Sequence, residues 1–488
     1  MRFHSIDYLL FLPLVVAIYF ATAQRWRWLV LLVASNIFYM SWRAEFVLLL
    51  WFTTLADYSV ALLLPRYEGV RRRLLLGVSL SSNLGLLLYF KYFALAANTM
   101  LSFWHGGRFE PISILLPLGI SFYTFQTLGY TVDVYRGKRE PERHLGFFAT
   151  YVMFFPQLLA GPIERPGRLM PQLREPHRFD IDRAALGGAL MLVGYYKKLV
   201  IADRLAQFVP AVMANPLAFS PAIVTATAFG NIYQYYADLS GYADIAIGSA
   251  LMFGVRLTQN FNRPFAAVSI SQYWQRWHIT VTTWFRDYVY LPIARSAHGR
   301  WRKPAATILT IMIVSFWHGA SWPWLLMGVA SGVAMVLEGA VRRSRRLLAL
   351  CAALLARVGI GARGAQRLGR NLNRLVLWAF LLLIGTLVNA PDWRTGIEMW
   401  SQMGRLPAEL LHGDLSPSGA AQLSATVLIL PVAILALEIY EALDARAPVF
   451  GRLAARGRAV SWPFYYALAA IVIAFGAYGQ PDFIYFNF

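Results

Sequence analysis

The sequence predicts an all-α integral membrane protein, a polytopic helical bundle, and three observations carry that expectation. Of 488 residues, 58% are hydrophobic and 14% charged, against about 25% charged in soluble domains. Several stretches run for about 20 residues without Asp, Glu, Lys or Arg, enough to cross a ~30 Å hydrocarbon core as a helix. The dyad alternation of an outer-membrane barrel is absent. Backbone at membrane depth must satisfy its own hydrogen bonds, which leaves helices as the spanning element.

Apolar spans fall near 8–23, 28–42, 46–64, 74–90, 112–135, 145–161 and 186–202, then near 222–255, 305–337, 375–390, 424–442 and 461–479. The first carries Ala21-Thr22-Ala23, a signal-peptidase-like triplet, yet Arg25 and Arg27 follow it. Positive charge after the first span favours a retained anchor with its N-terminus outside. The stretches 222–255 and 305–337 are too long for one crossing and predict paired or broken helices. The whole chain, 1–488, reads as one membrane-embedded domain, with extra transmembrane helices from about 375 to the C-terminus.

The net charge of +20 sits in short loops between apolar runs. That is the positive-inside pattern and argues against nucleic acid as a partner. Arg25/Arg27, Arg66/Arg71/Arg72/Arg73, Arg136–Arg143, Arg165–Arg183, Arg295–Lys303, Arg342–Arg374 and Arg446–Arg458 then share the cytoplasmic side. For two of these clusters to do so, 145–161 must be re-entrant or interfacial. The loop 391–423, with Asp392, Glu398, Glu409 and Asp414, reads as outside, as does the aromatic C-terminus Phe483–Phe488. Arg363, Arg367, Arg370 and Arg374 form a helical basic stripe suited to anionic headgroups, or to a nucleotide phosphate. The single cysteine, Cys351, excludes a disulfide framework and a Cys-based metal site, and no metal is expected.

His318 carries the strongest chemical signal. It lies in Ser315-Phe316-Trp317-His318-Gly319-Ala320-Ser321-Trp322-Pro323-Trp324, inside an uncharged run from Ala305 to Leu337. Counted from Lys303 at ~1.5 Å per residue, it stands roughly 20 Å into the membrane. An ionisable group at that depth marks function by default, and the break offered by Gly319 and Pro323 suits a cavity wall. A histidine hydrogen-bonded between helices is the bland alternative. His278 is the second candidate. Trp274, Trp277, His278, Val281, Trp284, Phe285 and Tyr288 fall at helical spacing, which places them on one face of an interfacial helix. For His278 an aromatic-belt role weighs equally. The other six histidines, His4, His105, His144, His177, His298 and His412, lie near loops or ends, where solvation explains them. Asp238, Tyr242 and Asp244 lie in a long apolar stretch. Asp238 and Tyr242 share a helical face and one could orient the other, or the acids pair with arginines of 256–304. The H-x-x-x-x-D spacing of His177 and Asp182 sits in a polar loop and is set aside as chance. No G-x-S-x-G, P-loop or H-E-x-x-H pattern occurs.

These blocks, in order, resemble the membrane-bound O-acyltransferase (MBOAT) superfamily, and within it the bacterial alginate/polysaccharide O-acetylation branch. They are Phe155-Pro156-Gln157 with Ala160-Gly161-Pro162-Ile163, Asp238 to Asp244, Asn260-Phe261-Asn262-Arg263-Pro264-Phe265, Trp274 to His278, Trp284-Phe285-Arg286-Asp287-Tyr288, and Phe316-Trp317-His318-Gly319. Where that branch has an Ile-Pro-Leu-Gly-Gly-Asn-Arg-like stretch, this chain departs with Leu291-Pro292-Ile293-Ala294-Arg295. The resemblance implies an active-site His318 with His278 as the second polar residue. Candidate substrate-binding residues are Trp317, Trp274, Trp277, Asp238, Tyr242, Asn260 and Arg286. It also implies acetyl-CoA as a donor substrate with no bound cofactor, a polysaccharide acceptor, a periplasmic acetyltransferase partner and a setting among the lipids of the bacterial inner membrane. A transporter or flippase without chemistry is the alternative, although the paired repeats of transporters are not visible.

Overall fold

A computed structural model describes the chain except residues 106–111, 297–298, 300, 320, 345–356, 358–360, 413–425 and 480–488. His298, Cys351, Asp414 and the aromatic C-terminus lie outside the described residues. Among those described there is no strand, and six helical segments are long and apolar enough to cross a membrane. The protein is a multi-pass helical membrane protein.

Five helices open the chain: α1 (Ile6–Ala21), α2 (Arg27–Met40), α3 (Val47–Leu63), α4 (Gly69–His105) and α5 (Ile120–Tyr135). Inside them Asp57, fully buried, accepts from Ser79, from Asn83 at 2.8 Å and from Thr131 at 3.3 Å. A buried carboxylate costs heavily unless hydrogen-bonded, so this cluster fixes α3 against α4 and α5. Next comes α6 (Leu145–Met153), which stops at Phe154 before a single turn at Phe155–Leu158. Nine residues fall short of a crossing, in keeping with the re-entrant form that charge placement requires.

Helix α7 (Ile181–Tyr195) continues through a π-helical turn, Tyr196–Ala202, into α8 (Asp203–Ala214). It packs against α9 (Pro221–Met252) through paired glycines. A Cβ on Gly187 would sit 2.6 Å from the Gly248 carbonyl oxygen, and one on Gly194 would sit 2.6 Å from that of Gly241. Without a hydrophobic drive between helices in lipid, such close backbone approach is what holds a pair together. The expectation that 222–255 is paired or broken is corrected here, because α9 is one continuous helix of 32 residues. Its glycines serve packing rather than breaks, and Pro221 sits at its first turn, where proline is tolerated.

Two short helices follow, α10 (Ile270–Arg276) and α11 (Ile279–Phe285), then a π turn at Arg286–Tyr290. The single aromatic helix expected over Trp274–Tyr288 is therefore broken at His278, whose φ is 47°. The run 305–337 forms two helices as expected, α12 (Arg302–His318) and α13 (Trp322–Arg343). The chain continues as α14 (Ala362–Asn389), α15 (Trp393–His412), α16 (Thr426–Asp444) and α17 (Arg458–Phe475). Helix α15 corrects the reading of 391–423 as a loop. Its Thr395, Met399 and Gln402 are buried, and Glu409 accepts from Ala222 N at 2.8 Å, capping α9. Polar and apolar residues are interleaved there at helical spacing, so no long apolar run announces the helix.

Contacts tie several of the basic clusters to neighbouring loops. Arg27 donates to the His177 carbonyl, Arg174 to Glu142, Arg72 to the Tyr135 carbonyl and Arg136 to the Asp287 carbonyl. Arg458 pairs with Asp182 at 3.0 Å. These contacts agree with the shared side that alternate basic loops require.

Candidate active site

His278 is presented by a latch between two segments. The Asn260 carbonyl accepts from Ile279 N at 2.8 Å, and its side-chain oxygen accepts from Thr280 N at 3.1 Å and Thr280 Oγ1 at 2.8 Å. Asn262 N donates to the Arg276 carbonyl at 3.0 Å. Thr282 Oγ1 donates back to the carbonyls of Trp274 and Trp277. His278 and Arg263 are the non-glycine residues with positive φ among those described. Both lie in this latch. Left-handed backbone is uncommon outside glycine and clusters at functional sites.

His318 is the last residue of α12. Gly319 is extended, and a Cβ there would meet the Trp324 indole at 2.1 Å. The absent side chain lets Trp324 stack on the His318 imidazole, centres 5.8 Å apart and planes 23° apart. The two imidazoles are themselves 5.8 Å apart and both are buried. Trp317 packs on His318 at 4.6 Å and on Phe125 at 5.2 Å, and Phe122 stacks on His278 at 6.0 Å. Sequence spacing separates the histidines by 40 residues, and the fold makes them neighbours.

One cavity is lined by His318, and a second is lined by Phe261, which packs on His278. The first, of about 90 Å³, is lined by His318, Trp274, Trp277, Trp324 and Asn231. Trp274 Nε1 and Asn231 Nδ2, both buried, have no hydrogen-bond partner among the described residues. The second, of about 480 Å³, is lined by Phe261, Asn262, Arg263, Lys197, Asp244 and Glu441. Phe261 packs on His278 at 5.6 Å and edge-on against Trp277 at 5.2 Å. Trp277 lines the first space and Phe261, packed on it, lines the second.

The remaining expected residues divide. Asn260, Trp274, Trp277 and Trp317 gather around the histidines. Asp238 and Asp244 do not pair with arginines of 256–304. Their partners are consecutive lysines of the π turn: Lys198 at 2.7 Å from Asp238, and Lys197 at 2.9 Å from Asp244. Lys198 also holds Asp203, and Lys197 also holds Glu441. The glycine-paired crossing of α7 and α9 brings these charges face to face, which sequence spacing does not reveal. Tyr242 stacks on Phe3 at 4.4 Å and does not line the small cavity. Arg286 is exposed and bonds the neighbouring Asp287 at 2.9 Å. His144, expected to be merely solvated, accepts from Phe147 N at 3.2 Å and caps α6. Sequence reasoning missed Asn231, Lys91, Lys197 and Lys198, although a lysine inside an apolar span is itself a signal.

With His318 on the wall of a cavity and His278 buried beside it, this is a candidate catalytic centre inside a helical membrane bundle. The profile of the membrane-bound O-acyltransferase family matches residues 143–354, which hold both histidines. The chain is 37% identical over 341 residues to the probable alginate O-acetylase AlgI of Pseudomonas putida, covering 68% of this chain and 69% of that protein. It is 33% identical over 348 residues to the peptidoglycan O-acetyltransferase of Helicobacter pylori, 65% of each chain. It is 27% identical over 250 residues to the teichoic acid D-alanyltransferase of Streptococcus thermophilus, 48% of this chain and 60% of that one. The chain belongs to the membrane-bound O-acyltransferase family. It is an acyl-transferring enzyme, and the transporter alternative is set aside.

Proposed function

We propose that the enzyme takes an acetyl group from cytoplasmic acetyl-CoA and delivers it through the bacterial inner membrane for O-acetylation of an exported polysaccharide. The carrying observation is the histidine pair, 5.8 Å apart and buried, with His318 lining a cavity. The names of the relatives, two of them O-acetylating enzymes, support acetyl as the group and a cell-surface glycan as the acceptor. The larger cavity carries Lys197 and Arg263 beside Asp244, Glu441 and Asp444, next to the turn that leads to Arg446 and Arg452. That placement supports entry of the donor from the side where positive loops reside.

In this mechanism an acceptor hydroxyl gives its proton to His318 as its oxygen bonds to the thioester carbon. The C–S bond breaks, and the proton returns from His318 to the departing thiolate of CoA. An imidazole suits this exchange, neutral as it takes the proton and imidazolium as it returns it. His278, on its latched turn, orients the donor or stabilises the oxyanion, an effect worth about 3 kcal/mol in known sites. Trp274, Trp277 and Trp317 shape the space and exclude water. A periplasmic partner protein finishes delivery to the polymer. No bound cofactor is required.

The test is ester-linked acetate on envelope and secreted glycans from cells carrying wild-type protein, His318→Ala or His278→Ala at matched membrane levels. Loss of acetate from one polymer with His318→Ala supports the base and names the substrate. Acetate at wild-type levels on every fraction refutes the assignment of His318, and a silent His278→Ala refutes the pair.

A further inference from the structure

Lys91 stands in α4 within the membrane span Gly69–Trp104, 8% exposed. An ammonium at such a position faces protein and calls for an explanation, and nothing above uses it. Its Nζ donates to the Trp317 carbonyl, and the same ammonium lies 5.4 Å from the centre of the Trp317 indole. The next residue, Tyr92, donates its hydroxyl to the Phe316 carbonyl at 3.2 Å and stacks on the Phe316 ring at 4.9 Å.

The local cause is the abrupt end of α12. The last carbonyls of a helix have no intrahelical donor. In an uninterrupted helix that of Trp317 would accept from the N–H of Ser321, four residues on. Here Gly319 is extended (φ −148°, ψ 127°), and Ser321 N turns back to the Gly319 carbonyl at 2.9 Å. Helix α4 supplies a donor to each of the carbonyls of Phe316 and Trp317. A cation at a helix C-terminus also complements the helix dipole, and the indole face adds a cation–π contact.

We infer that Lys91 is a positioning residue for acyl transfer. It pins the last turn of α12 from the side and so holds the His318 imidazole in register with Trp324 and His278. The inference rests on His318 as the base. Lys91 touches the carbonyl one residue before that base and acts through it.

The test uses inside-out membrane vesicles from the source cells, carrying the native acceptor, with labelled acetyl-CoA added outside and protein levels matched. Lys91→Met keeps the length of the side chain and removes donor and charge. It should lower kcat by about 10- to 100-fold, the scale of a displaced catalytic group, and leave KM for acetyl-CoA within about twofold. Lys91→Arg should recover most of that loss. In the His318→Ala background, Lys91→Met should cause no further fall, as for residues acting as a unit. Wild-type kcat in Lys91→Met overturns the inference, as does a further loss in the double variant or a loss confined to KM. Should Lys91→Met fail to insert, Tyr92→Phe removes the second donor alone. It should lower kcat severalfold at unchanged KM, and an unchanged kcat overturns the inference. Wild-type transfer by His318→Ala alone would overturn the base assignment itself, a result separate from any Lys91 outcome.

Discussion

Two backbone positions shape the proposed site. His278 occupies a left-handed conformation, and Gly319 leaves room that a side chain would fill. The second is the more direct to test. Gly319→Ala places a methyl within the van der Waals envelope of the Trp324 indole, so the ring must leave the His318 face. Transfer should then fall by about tenfold or more, since a misplacement of ~1 Å can cost as much, with membrane levels unchanged. Full activity in Gly319→Ala would show that the stacking of Trp324 is dispensable. At this scale the sequence was largely readable. Trp317, His318, Gly319 and Pro323 announce a histidine beside a helix break in an apolar run. It did not show that Lys91 lies against that break, because the two are over 220 residues apart.

At the scale of elements, the segment 256–290 behaves as a frame rather than as a helix. Asn260 holds the first residues of α11 through both its backbone and its side chain. Asn260→Ala leaves the buried Thr280 N–H without an acceptor, a loss of about 1–3 kcal/mol. Thermal unfolding in detergent should shift down accordingly, and acyl transfer should drop because the His278 turn loosens. An unchanged melting temperature would mean that water or a neighbour replaces the Asn260 oxygen. The sequence placed aromatics and His278 at helical spacing here, and that spacing is real within α10 and α11. It fails across Trp277–His278, because tertiary hydrogen bonds from Asn260 and Asn262 outweigh local helical preference. Helix α15 was missed for a different reason. Its amphipathic pattern has no long apolar run, and it is packing on α9 and α14 that gives it order.

The whole molecule is organised by charge at two depths. Arginines tie neighbouring loops together, and two lysines enter the interior on the π turn of Tyr196–Ala202. π turns mark functional or strained sites; this one directs Lys197 and Lys198 toward four carboxylates. Lys197→Met would strand Asp244 and Glu441 beside the larger cavity. Removing one partner of a buried pair costs about 3–5 kcal/mol, so a large fall in thermal stability is expected. Adding Asp244→Asn and Glu441→Gln should recover much of it. A single variant as stable as wild type would show that the carboxylates are already neutral or water-linked. Asp238, singled out from the sequence as a possible substrate contact, belongs to the same network through Lys198.

The sequence by itself determined the class of the protein, the hairpin at His318 and the histidines worth attention, and it supplied an expectation for the sidedness of the loops. Those properties follow from local physics: hydrocarbon thickness, the placement of arginines between apolar runs, and the behaviour of glycine and proline in helices. Only the tertiary structure decided that His278 and His318 meet, that α9 runs unbroken, and that Asp238 and Asp244 find lysines rather than arginines. It also decided that Lys91 closes the end of α12. Each of these depends on contacts between segments far apart in the chain, where side chains compete for the same buried donors and acceptors, and no periodicity along one strand of sequence encodes the winner.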